Sequence, residues 1–250
     1  MFPVTMKSFD EMSFSEALET ALSRNRESIG TYKEKTLHHT LKLYYGGLHS
    51  TEANVGRFIA DVVREDGIYE IQSKAFYRMT AKLESFLSVS HVTVVYPVTV
   101  SKNIIWADIE TGEIVSTSRS PKKGSVYSIL PELYSLRQFL KNDNLSFICA
   151  LVDCDEYRYA DGYGKDKKKR ATKVDIIPAS LIDEIQFRST ADYRLFLPDS
   201  LPEIFTSSDY SKVTKLRRKD SSKALLVLTE LGVVSRVGAE GKSFLYKIKF

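Results

Sequence analysis

The chain has 250 residues, of which 43% are hydrophobic, so it is long enough for one large core or two smaller ones. It contains no apolar run that would span a bilayer, and residues 1–10 lack the basic-then-apolar order of a secretion signal. We therefore expect a cytoplasmic protein without a membrane partner. The net charge of +4 is unevenly distributed, because residues 206–250 contain ten Lys or Arg and only four Asp or Glu. That segment carries +6 and the remainder −2, which predicts an anionic partner near the C-terminus.

The N-terminal part of the chain shows two helical patterns. Apolar residues spaced three and four apart predict a helix over residues 13–28, which would pack on the core or on a second subunit of a homodimer. Residues 1–30 are therefore predicted to form a helical extension. A second helix is predicted over residues 31–45, ended by the glycine pair that follows it. Glu34 lies in its first turn, where a negative charge is favourable at the positive end of a helix.

The most informative stretch covers residues 58–74, which read as two short strands joined at Asp66-Gly67, a dipeptide typical of hairpins. The first strand contains Asp61 within an otherwise apolar run. Three polar residues follow the turn at alternate positions and are predicted to share one strand face: Glu70, Gln72 and Lys74. Hairpin pairing would bring Asp61 close to that face. Neighbouring oxygens suit a hard divalent cation such as Mg²⁺ or Mn²⁺, and an ammonium group nearby stabilises charge on a phosphate.

This arrangement resembles the PD-(D/E)xK nuclease superfamily, which places an Asp on one core strand and an acidic-x-Lys motif on the next. The resemblance implies a restriction-endonuclease-like mixed α/β sheet flanked by helices. It also implies Mg²⁺- or Mn²⁺-dependent hydrolysis of phosphodiesters, with Asp61 and Glu70 as the metal ligands. The helix before the core strands often supplies a further acid in this superfamily, and Glu34 or Glu52 would take that place.

The motif fits the sequence in two registers, and both remain open. Gln72-Ser73-Lys74 has Gln in the acidic position, whereas Glu70-Ile71-Gln72 has Gln in the lysine position. An ordinary amphipathic hairpin is the competing interpretation. Its charged side chains would be solvated, and a cross-strand ion pair there would contribute at most about 1 kcal/mol.

The elements after the hairpin favour the nuclease-like interpretation. A helix over residues 77–87 and an apolar strand over 91–100 are what such a core requires next, and a crossover of this kind would give a parallel pair. Three further elements complete the core: a hairpin over 104–118, a helix over 127–140 and an apolar strand over 145–152. The predicted nuclease-like core therefore spans residues 31–156.

Two cysteines, Cys149 and Cys154, lie near the end of this core. Their spacing is not that of a Cys-x-x-Cys pair, and the sequence contains no second pair of thiol ligands. We expect reduced, partly buried thiols and no zinc site.

Residues 157–202 differ in composition and are predicted to form a basic loop and linker region. Residues 165–170 contain five Lys or Arg and would lie in solvent or follow a nucleic-acid backbone. Residues 174–187 read as a strand-like start followed by a helix from Pro178. Two Leu-Pro dipeptides then indicate a linker into a second domain.

Residues 203–250 are predicted to form that second domain. Residues 206–209 fit a capping box that begins one helix, and Asp220 or Ser221 would cap a second helix over residues 223–231. Two strands around a glycine-rich turn follow, over residues 233–237 and 243–248. Two helices followed by a strand, a glycine turn and a strand resemble a winged helix-turn-helix domain.

Winged helix-turn-helix domains place the N-terminal residues of their second helix in the DNA major groove. The residues at that position here are Arg217, Arg218, Lys219, Ser221, Ser222 and Lys223, and Lys242 lies on the wing. Arg and Lys bind phosphates and guanine edges, and Ser donates or accepts at either. Winged helices also bind proteins, but the basic excess of this segment favours DNA as the partner.

Two functions are consistent with these patterns. The first is a metal-dependent DNA endonuclease of the restriction or defence type, whose C-terminal domain contacts the DNA. The second is a non-catalytic DNA-binding regulator that retains a nuclease-like scaffold without its activity.

Overall fold

The computed structural model describes residues 12–27, 35–159 and 171–249. These residues form six α-helices, ten β-strands and four 3₁₀ helices. The α-helices are α1 (Phe14–Glu27), α2 (Thr36–Gly46), α3 (Thr80–Leu87), α4 (Leu130–Leu133), α5 (Ser207–Thr214) and α6 (Arg218–Glu230). The strands are β1 (Thr51–Val55), β2 (Phe58–Arg64), β3 (Gly67–Ile71), β4 (Val92–Ala107), β5 (Ile114–Arg119), β6 (Leu145–Tyr159), β7 (Thr172–Phe187), β8 (Ile204–Phe205), β9 (Val234–Glu240) and β10 (Ser243–Ile248). The 3₁₀ helices are Phe76–Met79, Val126–Ile129, Tyr134–Phe139 and Thr190–Phe196.

Strands β1 to β7 form one seven-stranded sheet of order β1-β2-β3-β4-β6-β7, with β5 paired to β4 outside that path. The pairs β1–β2, β2–β3 and β4–β5 are antiparallel. The last three strands form a separate antiparallel sheet of order β8-β10-β9. A mixed α/β architecture with helices flanking a large sheet is thus confirmed, and this sheet is mostly antiparallel. Its likeness to the restriction-endonuclease fold stays a prediction.

The chain divides into two compact units. Unit 1 comprises Met1–Ile71, Pro97–Ser125 and Ala150–Glu184, and unit 2 comprises Gln72–Tyr96, Val126–Cys149 and Ile185–Phe250. The C-terminal segment therefore belongs to the same unit as two earlier segments, and its independence as a domain stays a prediction. Within the described residues, no helix is both long enough and apolar enough to cross a bilayer.

In unit 1, the β2–β3 hairpin forms where Asp66-Gly67 predicted it. The register pairs Arg64 with Gly67 and Val62 with Tyr69. Gly67 adopts a φ of 142°, a backbone conformation that favours glycine. The Asp66 carboxylate accepts a 2.7 Å hydrogen bond from the Tyr69 hydroxyl and lies 3.1 Å from Nε of Arg64. The turn is therefore closed by the side chains that flank it.

Helix α2 packs on the first three strands of unit 1, and α1 packs on α2. Ala17 and Ala21 of α1 are fully buried against Leu43 of α2. Gly46 ends α2 so close to β2 that a Cβ atom there would lie 2.9 Å from the methyl carbons of Val62. This close approach requires glycine and fixes the end of α2 against the hairpin. The first residues of the predicted helix over 31–45 lie outside the described residues.

Strand β7 runs without a break from Thr172 to Phe187, so the prediction of a helix from Pro178 was wrong. Strand β7 is an edge strand of the sheet. The N–H groups along the outer side of an edge strand do not need a neighbouring strand as their hydrogen-bond partner. Proline, which lacks the N–H donor, is tolerated in such a strand. The hydroxyls of Tyr44 and Tyr45 on α2 both donate to the Glu184 carboxylate of β7. The basic run at residues 165–170 lies outside the described residues.

In unit 2, the predicted capping box at the start of α5 is confirmed. Thr206 Oγ1 accepts a 3.3 Å hydrogen bond from the N–H of Asp209, and the Asp209 carboxylate accepts a 3.0 Å bond from the N–H of Thr206. Helix α5 then places Tyr210 in an aromatic core, where its hydroxyl donates to the carbonyl oxygen of Phe196 at 2.8 Å. Phe196 stacks on Phe187 with ring centroids 4.9 Å apart.

Helix α6 begins at Arg218, five residues before the predicted start at Lys223, so the predicted cap was wrong. Lys215 adopts a left-handed φ of 61° that ends α5 and redirects the chain. Asp220 lies inside the first turn of α6 and accepts a 2.7 Å hydrogen bond from Nε of Arg217. A carboxylate is favourable there because of the helix dipole. Helix α6 packs on α4 and on the following 3₁₀ helix.

Candidate functional site

Asp61 and Glu70 lie on the neighbouring strands β2 and β3, as predicted. The antiparallel register that pairs Val62 with Tyr69 places Asp61 opposite Glu70 when it is continued by one residue. Opposite residues of an antiparallel pair project from the same face of a sheet. The hairpin therefore brings the two carboxylates together.

Each of these carboxylates bonds to the backbone of the other strand. Glu70 Oε1 accepts a 2.9 Å hydrogen bond from the N–H of Asp61, and Asp61 Oδ2 accepts a 2.9 Å bond from the N–H of Ile71. The Glu70 side chain is buried, with 4% of the residue exposed. The residue pairs of β2 and β3 extend from the turn as far as Val62 and Tyr69. Beyond that pair, the two hydrogen bonds accepted by the carboxylates join the strands. One oxygen of each carboxylate is thus committed to the hairpin.

His38 on α2 lies beside this pair. Its Nε2 is 2.9 Å from the carbonyl oxygen of Ile71 and 3.6 Å from Oδ2 of Asp61. Its place beside Asp61 was missed because it depends on how α2 packs on the sheet, for which the local sequence carries no signal.

Gln72 and Lys74 do not continue the strand face of Glu70, so that part of the prediction was wrong. Strand β3 ends at Ile71. In unit 2, Gln72 Nε2 donates a 2.5 Å hydrogen bond to the carbonyl oxygen of Lys74, and Ala75 adopts a left-handed φ of 58°. This turn leads into the Phe76–Met79 3₁₀ helix, so Lys74 lies in an exposed bend.

The further acids predicted for a metal site do not join Asp61 and Glu70. Glu34 lies outside the described residues, and the Glu52 carboxylate forms a 2.7 Å ion pair with Lys42. Across residues 12–27, 35–159 and 171–249, no group of three or more His, Cys, Asp or Glu side chains is placed to hold a metal ion. A cation between Asp61 and Glu70 would rely on the carboxylate oxygens that the hairpin bonds do not use.

Most of the residues predicted to contact DNA lie at the exposed start of α6. Those that are exposed or half-buried are Arg217, Arg218, Lys219, Ser222 and Lys223, and Lys242 is exposed in the turn between β9 and β10. Ser221 is fully buried, so its assignment as a DNA contact was wrong. It shares the core-facing side of α6 with Ala224 and Leu225, which are also fully buried.

A cavity of about 550 Å³ in unit 2 brings Lys74 together with α6. Its basic lining residues are Lys74, Arg217, Lys219 and Lys223, and its aromatic ones are Tyr77 and Tyr134. No sequence pattern indicated this cluster, because Lys74 and α6 are far apart in the chain. Helix α6 and the Phe76–Met79 3₁₀ helix that follows Lys74 both pack on α4 and on the Tyr134–Phe139 3₁₀ helix, and this packing brings the two segments close.

A family described as Domain of unknown function (DUF8091) has a model that matches residues 35–188. The chain belongs to the DUF8091 family. An uncharacterized protein of Treponema pallidum (strain Nichols) is 31% identical to it over 187 residues, which is 74% of each chain. No solved structure gives a significant match. The DUF8091 region contains Asp61, Glu70 and Lys74, whereas α6 and the C-terminal sheet lie beyond it.

The DUF8091 region also contains a buried charged cluster in unit 1. Glu156 is fully buried, and its carboxylate accepts hydrogen bonds from Lys102 and Arg158 at 2.6 Å and from Lys173 at 3.3 Å. Burial alone would raise the pKa of this carboxyl, but the bonds from Lys102 and Arg158 outweigh it and lower the pKa to about 2. The Arg158 guanidinium lies 5.6 Å from the ring centroid of Trp106. This cluster was not predicted.

Both DUF8091 cysteines are free and buried, in agreement with the expectation of reduced thiols. Burial raises the pKa of the Cys149 thiol to about 12 and that of Cys154 to about 11. A thiolate is the reactive form of cysteine, so neither side chain is suited to nucleophilic chemistry.

Proposed function

We propose that the protein binds DNA through the N-terminal end of α6. The observation that carries this proposal is the exposed basic surface formed by Arg217, Arg218 and Lys219. Arg217 pairs with Asp220, yet 83% of its side chain remains exposed, so its guanidinium remains accessible to a phosphate. The backbone N–H groups and the dipole at a helix start also favour anions.

The order of the C-terminal elements supports a winged helix-turn-helix as the framework for this contact. Strand β8 precedes α5 and α6, and the β9–β10 hairpin follows them. In the three-stranded sheet, β10 lies between β8 and β9. Lys242 at the tip of the hairpin would then reach the DNA backbone beside the groove that α6 enters.

DNA affinity is expected to fall steeply with salt, because Lys and Arg displace condensed counterions from the phosphates. Replacing Arg217 and Arg218 together with Ala should weaken duplex binding and make the slope of log K against log salt shallower by about two. Fluorescence anisotropy with a labelled duplex at several salt concentrations measures both quantities.

The matched control replaces Arg57 and Arg188 with Ala, which removes the same charge from two other exposed positions. This control should keep the wild-type slope. Duplex binding that is insensitive to salt, or equally weakened in both double variants, would contradict a contact at α6 and indicate a protein-binding role for this helix.

A second candidate function, a metal-dependent endonuclease of the restriction or defence type, is favoured by the placement of Asp61 opposite Glu70. Mg²⁺ or Mn²⁺ would be held there by those two carboxylates and would supply the charge that phosphodiester hydrolysis needs. The alternative is a non-catalytic scaffold. The hydrogen bonds that both carboxylates accept from backbone N–H groups of the hairpin favour that alternative, because they give each side chain a structural role.

Cleavage assays distinguish the nuclease from the scaffold and decide the register of the motif. Plasmid, linear and branched DNA would be incubated with Mg²⁺ or Mn²⁺, with the wild type beside Glu70→Ala and Gln72→Ala. For a nuclease, the variant with the larger loss identifies the acidic position. Lys74→Ala should then reduce the rate strongly if Gln72-Ser73-Lys74 is the motif, and have little effect otherwise. No cleavage of any substrate would favour the scaffold.

A further inference from the structure

The cavity that contains Lys74 gathers more positive than negative charge. Its lining includes four basic side chains and two acidic ones, Glu132 and Asp220. Both carboxylates already have partners, since Asp220 accepts from Arg217 at 2.7 Å and Glu132 accepts from the N–H of Phe76 at 3.2 Å. Like charges held together repel one another, and a bound anion would offset that repulsion. The cavity is therefore suited to an anionic ligand.

Two tyrosines give this cavity an aromatic surface as well. Tyr134 lies under two cations, with the Arg137 guanidinium 4.4 Å and the Lys223 ammonium 5.7 Å from its ring centroid. This ring therefore orients Lys223 at the cavity wall. Tyr77 is 60% exposed, and its hydroxyl accepts a 3.1 Å hydrogen bond from Arg78. A large exposed ring at a cavity is a surface on which a flat ligand can stack.

The segment that carries Lys74 and Tyr77 is held in place from both sides. Gln72 bonds to the carbonyl oxygen of Lys74, and Glu132 bonds to the N–H of Phe76. Between them Ala75 adopts a left-handed conformation, which costs a residue other than glycine about 1 kcal/mol or more. Lys74 and Tyr77 are thus presented to the cavity by a segment whose backbone is already ordered, which lowers the entropy lost on binding.

We propose that this cavity binds a nucleoside phosphate. Lys74, Arg217 and Lys219 would contact the phosphate, and Tyr77 would stack on the base. A volume of about 550 Å³ lies in the range of small-molecule sites, roughly 300–1,000 Å³. The nucleoside phosphate would be either a free nucleotide or the terminal nucleotide of a nucleic acid. Arg218 and Lys242 do not line the cavity, so the proposal goes beyond the contact of α6 with duplex DNA.

Calorimetric titration of the 250-residue chain tests the proposal with five probes. These are adenosine 5′-monophosphate, adenosine, inorganic phosphate, and a short single-stranded oligothymidylate with or without a 5′-phosphate. We expect the monophosphate or the 5′-phosphorylated strand to bind more tightly than adenosine or phosphate. Whichever of the two binds identifies the source of the ligand, free nucleotide or nucleic-acid end.

Three cavity variants and one control variant assign the binding to the cavity. Lys74→Ala and Tyr77→Ala should each weaken binding about tenfold, because they remove a charged hydrogen bond and a stacking surface. Both residues are exposed, so thermal unfolding should show that the variants fold. Lys74→Arg should retain most of the affinity. Arg218→Ala is the matched control, and it should weaken duplex binding while changing nucleotide binding less than about twofold.

Several results would overturn the proposal. The first is that neither phosphorylated probe binds. The second is that adenosine or inorganic phosphate binds as tightly as the nucleotide. The third is that Lys74→Ala and Tyr77→Ala leave nucleotide binding unchanged. Because Arg218→Ala acts on duplex binding alone, failure of the DNA-binding proposal would leave these measurements unaffected.

Discussion

Replacing Glu156 with Gln should lower the free energy of unfolding at neutral pH by about 3–5 kcal/mol, the usual cost of breaking a buried ion pair by removing one partner. The Glu156 side chain is fully buried, whereas the side chains of Lys102 and Arg158 are 21% and 11% exposed. The amide would leave both cations without a negative partner in a site with little access to water. Urea unfolding followed by circular dichroism measures the loss.

The same carboxylate predicts how stability depends on pH. The pKa of Glu156 is about 2 in the folded protein, below the ordinary value of 4.5 for an unfolded chain. The unfolded state therefore binds the proton more readily, and the contribution of Glu156 is complete above about pH 5. It is lost as the pH falls towards 2, and the loss amounts to about 3 kcal/mol. The Glu156→Gln variant should lack this part of the acid destabilisation.

Glu113→Gln is the matched control, because Glu113 lies exposed in the turn between β4 and β5. The free energy of unfolding of this variant should change by less than about 0.5 kcal/mol at every pH. Equal urea midpoints for the wild type and Glu156→Gln from pH 7 to pH 3 would show that the buried cluster does not stabilise the fold.

Local signals in the sequence were sufficient for the features that depend on a few adjacent residues. Asp66-Gly67 predicted the β2–β3 hairpin because a tight turn needs a residue that tolerates positive φ. A tight turn also fixes the register, which is why the opposition of Asp61 and Glu70 could be predicted. The capping box at Thr206 is local in the same sense, since both of its hydrogen bonds lie within one helical turn.

Features that depend on tertiary contacts could not be predicted. Pro178 was predicted to begin a helix, but proline is tolerated in β7 because this strand lies at the edge of the sheet. Ser221 was assigned to DNA from its place in a basic run, whereas the packing of α6 buries it. The Glu156 cluster joins residues of β4, β6 and β7, and no local pattern marks it.

The candidate site shows the same division between local and tertiary information. The sequence indicated which carboxylates face each other, but not that their oxygens bond to the hairpin backbone. Those bonds lie next to Val62 and Tyr69, the last pair of the main-chain register, and there the side chains connect the two strands. The site therefore has to be tested by measurements that separate a structural role of Asp61 from a catalytic one.

Asp61→Ala should destabilise the protein by about 1–3 kcal/mol, because it leaves the N–H of Ile71 without its acceptor in a largely buried site. Asp61→Asn keeps an oxygen acceptor of nearly the same shape and should retain most of that stability. The two variants differ in folding but share the loss of the negative charge. Urea unfolding of both variants beside the wild type measures the structural contribution.

Cleavage by the same two variants then measures any catalytic contribution. If Asp61 holds a metal ion, Asp61→Asn should abolish Mg²⁺- or Mn²⁺-dependent cleavage while remaining folded, because an amide is a far weaker cation ligand than a carboxylate. If Asp61 only connects the strands, any cleavage by the wild type should survive in Asp61→Asn and decline in Asp61→Ala only as far as that variant unfolds. Full cleavage by a folded Asp61→Asn protein would therefore exclude Asp61 as a metal ligand. A structural role, the bond to the N–H of Ile71, would then account for the Asp61 carboxylate.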